Sequence, residues 1–370
     1  MFHLFPRFSR DVHSTPFAAE FRRLGVPHQL FAEELSLHYG TRAGLFCRIY
    51  PKLFFYAARA AVRSLILSRP KPDVVVIRSD VEAIVFGLFA FLFSRRTRIV
   101  FETFIAAERG SPLKRRLQHL HYSLVLHFVD VAICHSATEA RDYVAQFPRT
   151  RAVFTALPFG LSVDGRDALR ARYGDDAAAS NVIVSAGRSA RDYATLAKAV
   201  AGLPCRVRVI CDWERPTVAL ENMPEVTIVR NCFRSEYLAE LARARIVVVP
   251  LSQRRISAGQ MVMQQAFALG KPVVITDTPT TREYATDGRD ALLSEFGDAD
   301  DLRAKLITLL ADPDRCAELG QRGSERYDLE FSTEAYVRNL VRLLSDIANQ
   351  SRTEWHSMPS PVDAKALAGD

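Results

Sequence analysis

The sequence has no cysteine pattern typical of a metal site or a disulfide framework, and no long apolar run. Its six Cys are scattered without CxxC or Cys/His spacing, which argues against a structural zinc and indicates a reduced, cytoplasmic chain. The most apolar window, VEAIVFGLFAFLFS (81–94), contains a Glu and is too short to span a bilayer, so it predicts a buried or interfacial helix. The opening MFHLFPRFSRDV lacks the apolar core and cleavage site of a secretory signal.

Motifs for nucleic-acid binding are also missing: the chain has no zinc finger, no basic heptad and no RNP-like aromatic motif. Charge is nevertheless uneven. Residues 1–160 hold 22 Lys and Arg against 12 Asp and Glu, a net +10, while the whole chain is +7, which leaves −3 for the remainder. A basic half beside a near-neutral half predicts that one domain meets an anionic surface, and we expect anionic lipid rather than nucleic acid.

What the chain does contain is a regular alternation of short apolar runs and helical segments. Runs such as DVVVIR (73–78), NVIVSAG (181–187) and RIVVVP (245–250) are typical of buried parallel strands. The 370 residues suffice for two domains. The pattern therefore predicts an α/β fold with two Rossmann-like, doubly wound domains facing a cleft.

The domain limits follow from composition. We expect an N-terminal acceptor-binding domain, a C-terminal nucleotide-binding domain, a C-terminal helix that packs back on the first domain, and a disordered tail. Their predicted ranges are 1–160, 161–331, 332–349 and 350–370. The polar stretch 160–180 is rich in Gly and Asp and favours a linker.

The first candidate site is VSAGRSARDYATL (184–196), where a strand ends at a glycine and a helix follows. Gly187 permits close approach of the backbone to a ligand. Arg188 and Arg191 then lie near a helix N-terminus, which itself favours anions, so a diphosphate would fit. The alternative is an ordinary strand–helix turn with two solvated arginines.

The second candidate is the loop LSQRRISAGQ (251–260), which leads into the helix MVMQQAFAL. Its backbone N–H groups over Ser257, Ala258, Gly259 and Gln260 could form an anion nest, with Arg254 and Arg255 adding charge. The alternative is a surface loop with Ser257 as the helix N-cap. Both candidate segments follow strands of one predicted sheet, which makes the pair more specific than either alone.

With these two segments the sequence resembles glycosyltransferase family 4, whose members are retaining enzymes with the two-domain GT-B fold. The resemblance is good over residues 180–330 and vaguer over 1–160. It implies that Arg188 and Arg191 grip the diphosphate of a nucleotide sugar. It also implies donor roles for Ser257 and Gln265, which stand where the family has two Glu eight residues apart. Gln265 can still hydrogen-bond a ribose hydroxyl, whereas Ser257 is too short to replace Glu. The SAGQ turn resembles a subgroup in which backbone N–H groups and the Gln take this part.

The remaining polar candidates are less specific. Glu102 follows a strand where the family often has a catalytic His, and its carboxylate could stabilise a cationic sugar transition state. It could equally be a satisfied carboxylate at a strand end. The loop 5–17 occupies the place of the family's first loop, so the resemblance implies that Arg10 and His13 face the donor phosphates.

Three other groups favour structural readings. Glu283 and Tyr284 match family positions but are better explained as a helix cap and a packed ring. The Asp-x-Asp of GDADD (297–301) indicates a helix cap rather than a metal pair, and the spacing of His119, His121 and His127 is not that of a metal pair. We expect no metal and no cofactor besides the nucleoside diphosphate sugar as co-substrate.

The predicted function is transfer of a sugar from a nucleoside diphosphate sugar to an acceptor hydroxyl, with retention, in assembly of a cell-surface polysaccharide or glycolipid. A glycan or lipid-linked acceptor and a position at the inner face of the cell membrane are expected. Basic and aromatic residues interleave in SPLKRRLQHLHYSLVLHF (111–128), as in interfacial helices. Two rivals stay open: a nucleotide-sugar epimerase of the same fold, and a non-catalytic homologue that binds a nucleotide or a partner.

Overall fold

The computed structural model describes residues 1–5, 12–31, 43–106 and 110–350. The chain divides into two compact units: unit 1 comprises Met1–Leu157 with Val337–Asp370, and unit 2 comprises Pro158–Tyr336. Each unit contains a six-stranded sheet in which every pairing is parallel. The predicted fold class, two doubly wound α/β domains, is confirmed.

Unit 1 is built on a sheet with the strand order β2-β1-β3-β4-β5-β6. The strands are β1 (Phe2–Leu4), β2 (His28–Leu30), β3 (Val74–Ile77), β4 (Arg98–Phe101), β5 (Val131–Cys134) and β6 (Val153–Ala156). The α-helices are α1 (Pro16–Arg23), α2 (Ala43–Ala61), α3 (Asp80–Phe93), α4 (Pro112–His127) and α5 (Ala137–Gln146), and α2 continues as a π-helix over Val62–Leu67.

The central strands of unit 1 are buried on both faces, as the apolar runs predict for a parallel sheet covered by helices. Helix α3 begins at a capping box in which Ser79 and Glu82 satisfy each other's backbone N–H groups. No helix among the described residues is both long and apolar enough to cross a membrane.

Unit 2 is built on a sheet with the strand order β12-β11-β10-β7-β8-β9. The strands are β7 (Val182–Ala186), β8 (Arg206–Ile210), β9 (Val226–Val229), β10 (Ile246–Val249), β11 (Val273–Thr276) and β12 (Leu292–Ser294). The α-helices are α6 (Arg166–Ala179), α7 (Tyr193–Val200), α8 (Glu214–Thr217), α9 (Arg234–Ala242), α10 (Gln260–Ala268), α11 (Ala299–Ala311), α12 (Pro313–Arg326) and α13 (Thr333–Asn349), whose residues from Val337 onward belong to unit 1.

The linker prediction for residues 160–180 is wrong, because most of this stretch is helix α6. Leu169 and Tyr173 lie four residues apart and both pack against the core of unit 2, so the helix has an apolar face despite its Gly and Asp content. The tail predicted to be disordered, 350–370, lies outside the described residues apart from Gln350.

Candidate functional site

The two candidate segments lie at the switch point of the second sheet. From β7 the chain moves to β8 and β9 on one side, and then returns to place β10 on the other side of β7. In open parallel sheets, ligands bind beyond the carboxyl ends of the strands at such a point, because the following loops diverge there. The structure places residues 187–192 and 250–260 at the carboxyl ends of β7 and β10, which pair directly.

Backbone hydrogen bonds join the two segments. The N–H of Asp192 donates to the carbonyl of Pro250 at 3.1 Å, and the N–H of Ser252 donates to the carbonyl of Ala190 at 3.1 Å. Arg191 and Leu251 form an isolated antiparallel bridge between them. The two segments therefore form one connected surface rather than two independent loops.

Arg191 is the half-buried cation of this surface. Its Nε donates to the carbonyl of Ala186 at 2.8 Å and its Nη1 to the carbonyl of Ser189 at 3.0 Å. Burial lowers the pKa of Arg191. Among the described residues no carboxylate pairs with it. A guanidinium held away from water without a counter-charge is unfavourable, so the arrangement suits an anionic ligand.

Arg188 lies on the same turn and is exposed. Its guanidinium carbon is 5.1 Å from the centre of the Trp213 ring, and Trp213 is itself 50% exposed. The pair presents a cation and an aromatic surface to solvent. The sequence analysis missed Trp213, although the signal was there: CDW directly follows β8, the neighbour of β7.

The N-terminus of α10 faces this edge without a side-chain cap. Its N-cap is Gly259, with φ of 85°, which has no side chain to accept a hydrogen bond from the first turn. The alternative in which Ser257 caps the helix is therefore wrong. A Cβ on Gly259 would fall 2.6 Å from Cγ1 of Val249, so only glycine fits. Uncapped N–H groups and the helix dipole favour an anion here.

Three further predicted residues lie around this helix. Ser257 and Ala258 are half-buried in the loop before it. Gln260 is 7% exposed, and its Nε2 has no hydrogen-bond partner among the described residues. The exposed guanidinium of Arg254 lies 4.5 Å from the centre of the Phe296 ring.

Gln265 lies one turn into α10 and contacts a residue that the sequence analysis missed. The hydroxyl of Tyr237, on α9, donates to Oε1 of Gln265 at 3.0 Å. Burial raises the pKa of Tyr237, and the charge of Arg191 acts in the opposite direction. Tyr237 is therefore near both Arg191 and Gln265. Nothing in the sequence around it marks it, since its role depends on how α9 packs.

Glu102 lies in unit 1, where Arg78 holds both of its carboxylate oxygens. Nε of Arg78 donates to Oε2 at 2.8 Å and Nη2 to Oε1 at 2.5 Å, and Glu102 is 2% exposed. The ion pair explains its burial without a ligand, and its catalytic role stays a prediction. His13 is exposed in a short 3-10 turn, Val12–Ser14. Arg10 lies outside the described residues.

Two structural readings are confirmed. Asp298 caps α11 by accepting from the N–H groups of Asp300 and Asp301, so the Asp-x-Asp begins a helix. Tyr284 is fully buried and stacks on Phe331, and its hydroxyl accepts from the N–H of Phe159 at 3.1 Å. The helix-cap reading of Glu283 is wrong, since it lies in a turn outside any helix.

The second unit of the chain resembles known proteins in sequence. Residues 180–312 match the family model described as Glycosyl transferases group 1. An uncharacterized glycosyltransferase of Methanocaldococcus jannaschii is 24% identical over 132 residues, 36% of this chain and 36% of that protein. The matched stretch thus spans about a third of the relative's length.

Several solved structures resemble most of the chain. Sucrose-phosphate synthase from Thermosynechococcus elongatus aligns with a TM-score of 0.67 at 18% identity, covering 94% of this chain and 98% of the other. A glycosyltransferase from Rickettsia africae aligns at 0.66 and 12%, covering 95% and 99%. HepE of Anabaena, solved with UDP and glucose, aligns at 0.60 and 14%, covering 93% and 99%. The chain has the GT-B fold of these proteins.

Proposed function

We propose that this chain is a glycosyltransferase that transfers a sugar from a nucleoside diphosphate sugar to an acceptor hydroxyl, with retained anomeric configuration. The observation that carries the proposal is Arg191. It is a half-buried guanidinium without a carboxylate partner among the described residues, at the switch point of the sheet and beside Arg188. A diphosphate would supply the negative charge that pairs with this guanidinium.

The comparisons favour the same donor class. The family model matches the part of the chain that contains both segments. HepE was solved in complex with UDP-glucose. We propose a nucleoside diphosphate hexose as the donor and no metal, because Arg188 and Arg191 can neutralise the diphosphate as it leaves.

Each residue of the site has a proposed task. Arg188 and Arg191 stabilise the negative charge that develops on the diphosphate as it leaves. Fixed donors lower the barrier most where charge develops in the transition state. The backbone from Ser257 to Gln260 and the start of α10 hold the sugar and a phosphate. Gln265, oriented by Tyr237, holds a ribose hydroxyl.

The test is ligand binding followed by turnover. Thermal shift with UDP, GDP, ADP, TDP and CMP, and with their sugar conjugates, is measured on the wild type, Arg191→Met and Arg206→Met. A ligand that binds the folded state raises the melting temperature. One nucleotide should raise it in the wild type and Arg206→Met but not in Arg191→Met. Arg206 is an exposed cation at the opposite end of β8, so it controls for loss of charge.

The same measurements separate the rival functions. Release of the nucleoside diphosphate with a new glycosidic product supports the transferase. Conversion of the donor sugar without an acceptor would instead establish the epimerase. Binding without turnover would establish a non-catalytic homologue, and no shift with any nucleotide would remove the donor assignment.

We further propose a glycan or lipid-linked acceptor in polysaccharide or glycolipid assembly, with unit 1 on the anionic inner surface of the cell membrane. Helix α4 supports this. It presents a row of exposed leucines spaced one helical turn apart: Leu113, Leu117, Leu120 and Leu124, at 69%, 59%, 66% and 51% exposure. Three consecutive cations accompany the row, Lys114, Arg115 and Arg116. An apolar row with flanking cations is the composition of an interfacial helix.

The end of helix α3 carries a similar combination. Phe91, Leu92 and Phe93 are 58%, 57% and 51% exposed, and Arg95 and Arg96 follow directly. Helices α3 and α4 pack against each other within unit 1, so both groups belong to neighbouring elements. Contiguous exposed apolar side chains are uncommon on a protein that meets only water.

A further inference from the structure

Unit 2 contains a cavity of about 470 Å³ at the edge of its sheet opposite to the candidate donor site. Arg245 and Lys271, which line it, stand just before β10 and β11. All strands of the sheet run parallel, so this is the amino edge, whereas Gly187 and Leu251 lie at the carboxyl edge. Strands of four to five residues separate the two edges by roughly 15 Å.

Lys271 is the most buried cation of this cavity. It is 7% exposed, and none of the described residues provides a carboxylate or another hydrogen-bond partner for its Nζ. Burial and, to a smaller extent, the charge of Arg170 lower the pKa of Lys271 to about 8. The charged form of an amine in this position is disfavoured, and a neighbouring anion would offset that cost.

Two guanidinium groups line the same cavity. Arg170 packs beside Gly270, where a Cβ would meet its Nη2 at 3.4 Å, and it donates to the hydroxyl of Ser324. Arg245 is 9% exposed and donates to the carbonyl of Leu310 at 2.9 Å. The Nε atoms of both are buried without a partner. A guanidinium does not lose its proton in proteins, so deprotonation of Lys271 alone leaves this charge in place.

The acidic residues of the cavity are at its exposed side. Asp328 is engaged by Arg166, and Glu325 accepts from Nε2 of Gln321 at 3.0 Å. Both carboxylates are largely exposed, whereas Lys271 and Arg245 are buried. The inner wall is therefore cationic, and the remaining wall is largely apolar, from residues such as Leu269 and Pro272.

We propose that this cavity binds the phosphate group of a small phosphomonoester, with Lys271 and Arg170 as its ligands. A dianion supplies acceptors for the Lys271 amine and the Arg170 guanidinium at once. The volume is in the range of small-molecule sites and exceeds the needs of a free phosphate ion. This site is separate from the donor site and does not depend on the proposed transferase activity.

Binding is tested by calorimetry on the full chain with two probes, inorganic phosphate and glycerol 3-phosphate. Wild type, Lys271→Met and Arg191→Met are compared. We expect Kd for glycerol 3-phosphate to rise at least about tenfold in Lys271→Met and to stay within about twofold in Arg191→Met. An equal loss of affinity for both probes in Lys271→Met identifies the phosphate group as the part that is recognised. Tighter binding of glycerol 3-phosphate than of inorganic phosphate identifies a site for a monoester.

The opposite pattern would overturn the proposal. Loss of binding in Arg191→Met but not in Lys271→Met places the phosphate in the donor site. Failure of the wild type to bind either probe at about 10 mM also removes the proposal.

A second measurement needs no variant, so it does not depend on the folding of one. Acetic anhydride modifies neutral amines, and mass spectrometry gives the rate at each lysine of the wild type. Glycerol 3-phosphate should slow acetylation of Lys271 at least about fivefold, because a bound anion holds the amine protonated. The exposed Lys198 serves as the control. Equal rates with and without the probe at Lys271 would contradict the site.

The pH dependence gives a third test, with inorganic sulfate as a probe that stays a dianion. Its affinity should fall as pH rises from 7 to 9, through the pKa of about 8 at Lys271. The other charged groups that line the cavity with Lys271 are Arg170, Arg245, Glu325 and Asp328. The Cys316 thiol also lines it, and burial raises the pKa of that thiol. Affinity for sulfate that is constant from pH 7 to 9 would exclude Lys271 as a ligand.

Discussion

The guanidinium of Arg191 lies directly over Gly187, and a Cβ on Gly187 would fall 2.5 Å from its Nη2. Gly187 also has φ of 113°, a backbone conformation that other residues rarely adopt. The carbonyl of Gly187 accepts from the hydroxyl of Tyr193 at 2.6 Å. The glycine, the arginine and the tyrosine thus fix the turn between β7 and α7 as one unit, and this turn positions the cation that the proposed function needs.

Replacing Gly187 by Ala should therefore displace Arg191 as well as strain the backbone. We expect a loss of about 1–3 kcal/mol in the free energy of unfolding, together with weaker nucleotide binding. The matched control is Gly202→Ala. Gly202 has φ of 69° with nothing within 4 Å of the added Cβ, so it carries backbone strain without the collision. Chemical denaturation and nucleotide titration are carried out on both variants. If Gly187→Ala and Gly202→Ala weaken nucleotide binding equally, the role of the Gly187–Arg191 contact is contradicted.

Replacing Tyr237 by Phe removes one hydroxyl and leaves Oε1 of Gln265 without its donor. We expect a stability loss of about 1 kcal/mol and a rise in KM for the donor with kcat little changed, because Gln265 would hold the ribose equally in the ground and transition states. Steady-state kinetics with a saturating acceptor measures this. The control is Tyr173→Phe, which removes a hydroxyl that accepts from Arg243 away from the site. A fall in kcat with KM unchanged would contradict the binding role of Gln265.

The sequence predicted the fold well where apolar runs were strong. Every strand of the second sheet lies within a short apolar run of the sequence, such as NVIVSAG (181–187) for β7 and RIVVVP (245–250) for β10. The short β1 (Phe2–Leu4) and helix α1 (Pro16–Arg23) were missed, because three residues give no period and α1 is short. Helix α6 was assigned to a linker because its Gly and Asp content outweighed the spacing of Leu169 and Tyr173.

The site was predictable only in part. The loops after β7 and β10 were found because strand ends mark them. Trp213 and Tyr237 come from other elements and join Arg188 and Gln265 through tertiary packing, which no local pattern encodes. The burial of Arg191 likewise depends on hydrogen bonds to Ala186 and Ser189 that the residue order does not reveal. The cationic cavity at Lys271 was not foreseen, because Arg170, Arg245 and Lys271 are far apart in sequence.

Charged residues in the leucine row of α4 should prevent membrane binding. The double variant Leu117→Glu, Leu120→Glu removes two apolar side chains from the proposed contact and adds charge that anionic lipid repels. We expect its affinity for anionic vesicles to fall by more than about tenfold. Co-sedimentation measures the bound fraction. Leu329→Glu is the control, because Leu329 is 71% exposed in unit 2. Equal sedimentation of all three proteins would remove the proposed membrane contact.

Lys271 should make stability depend on pH in a way that Lys271→Met abolishes. Its pKa in the folded protein, about 8, lies below the ordinary value of 10.5. Between these values the unfolded chain binds more protons, so the contribution of Lys271 to stability rises from pH 8 to 10.5, by at most on the order of 3 kcal/mol. Below pH 8 the folded state carries the full cost of the buried charge.

Buried tyrosines make stability depend on alkaline pH in the opposite direction to Lys271. Burial raises the pKa of Tyr143, Tyr193 and Tyr237, so their contribution to stability falls above about pH 10. The difference between wild type and Lys271→Met cancels these terms, because both proteins keep the tyrosines. Chemical denaturation measures the free energy of unfolding of both proteins at pH 7 and pH 9.5. Lys271→Met should be more stable than the wild type at pH 7, and this difference in stability should be smaller at pH 9.5. Adding glycerol 3-phosphate at pH 7 should narrow it too, since a bound anion stabilises the wild type alone. A difference in stability between the two proteins that neither pH nor the phosphomonoester changes would mean that Lys271 keeps an ordinary pKa in the folded protein and binds no anion.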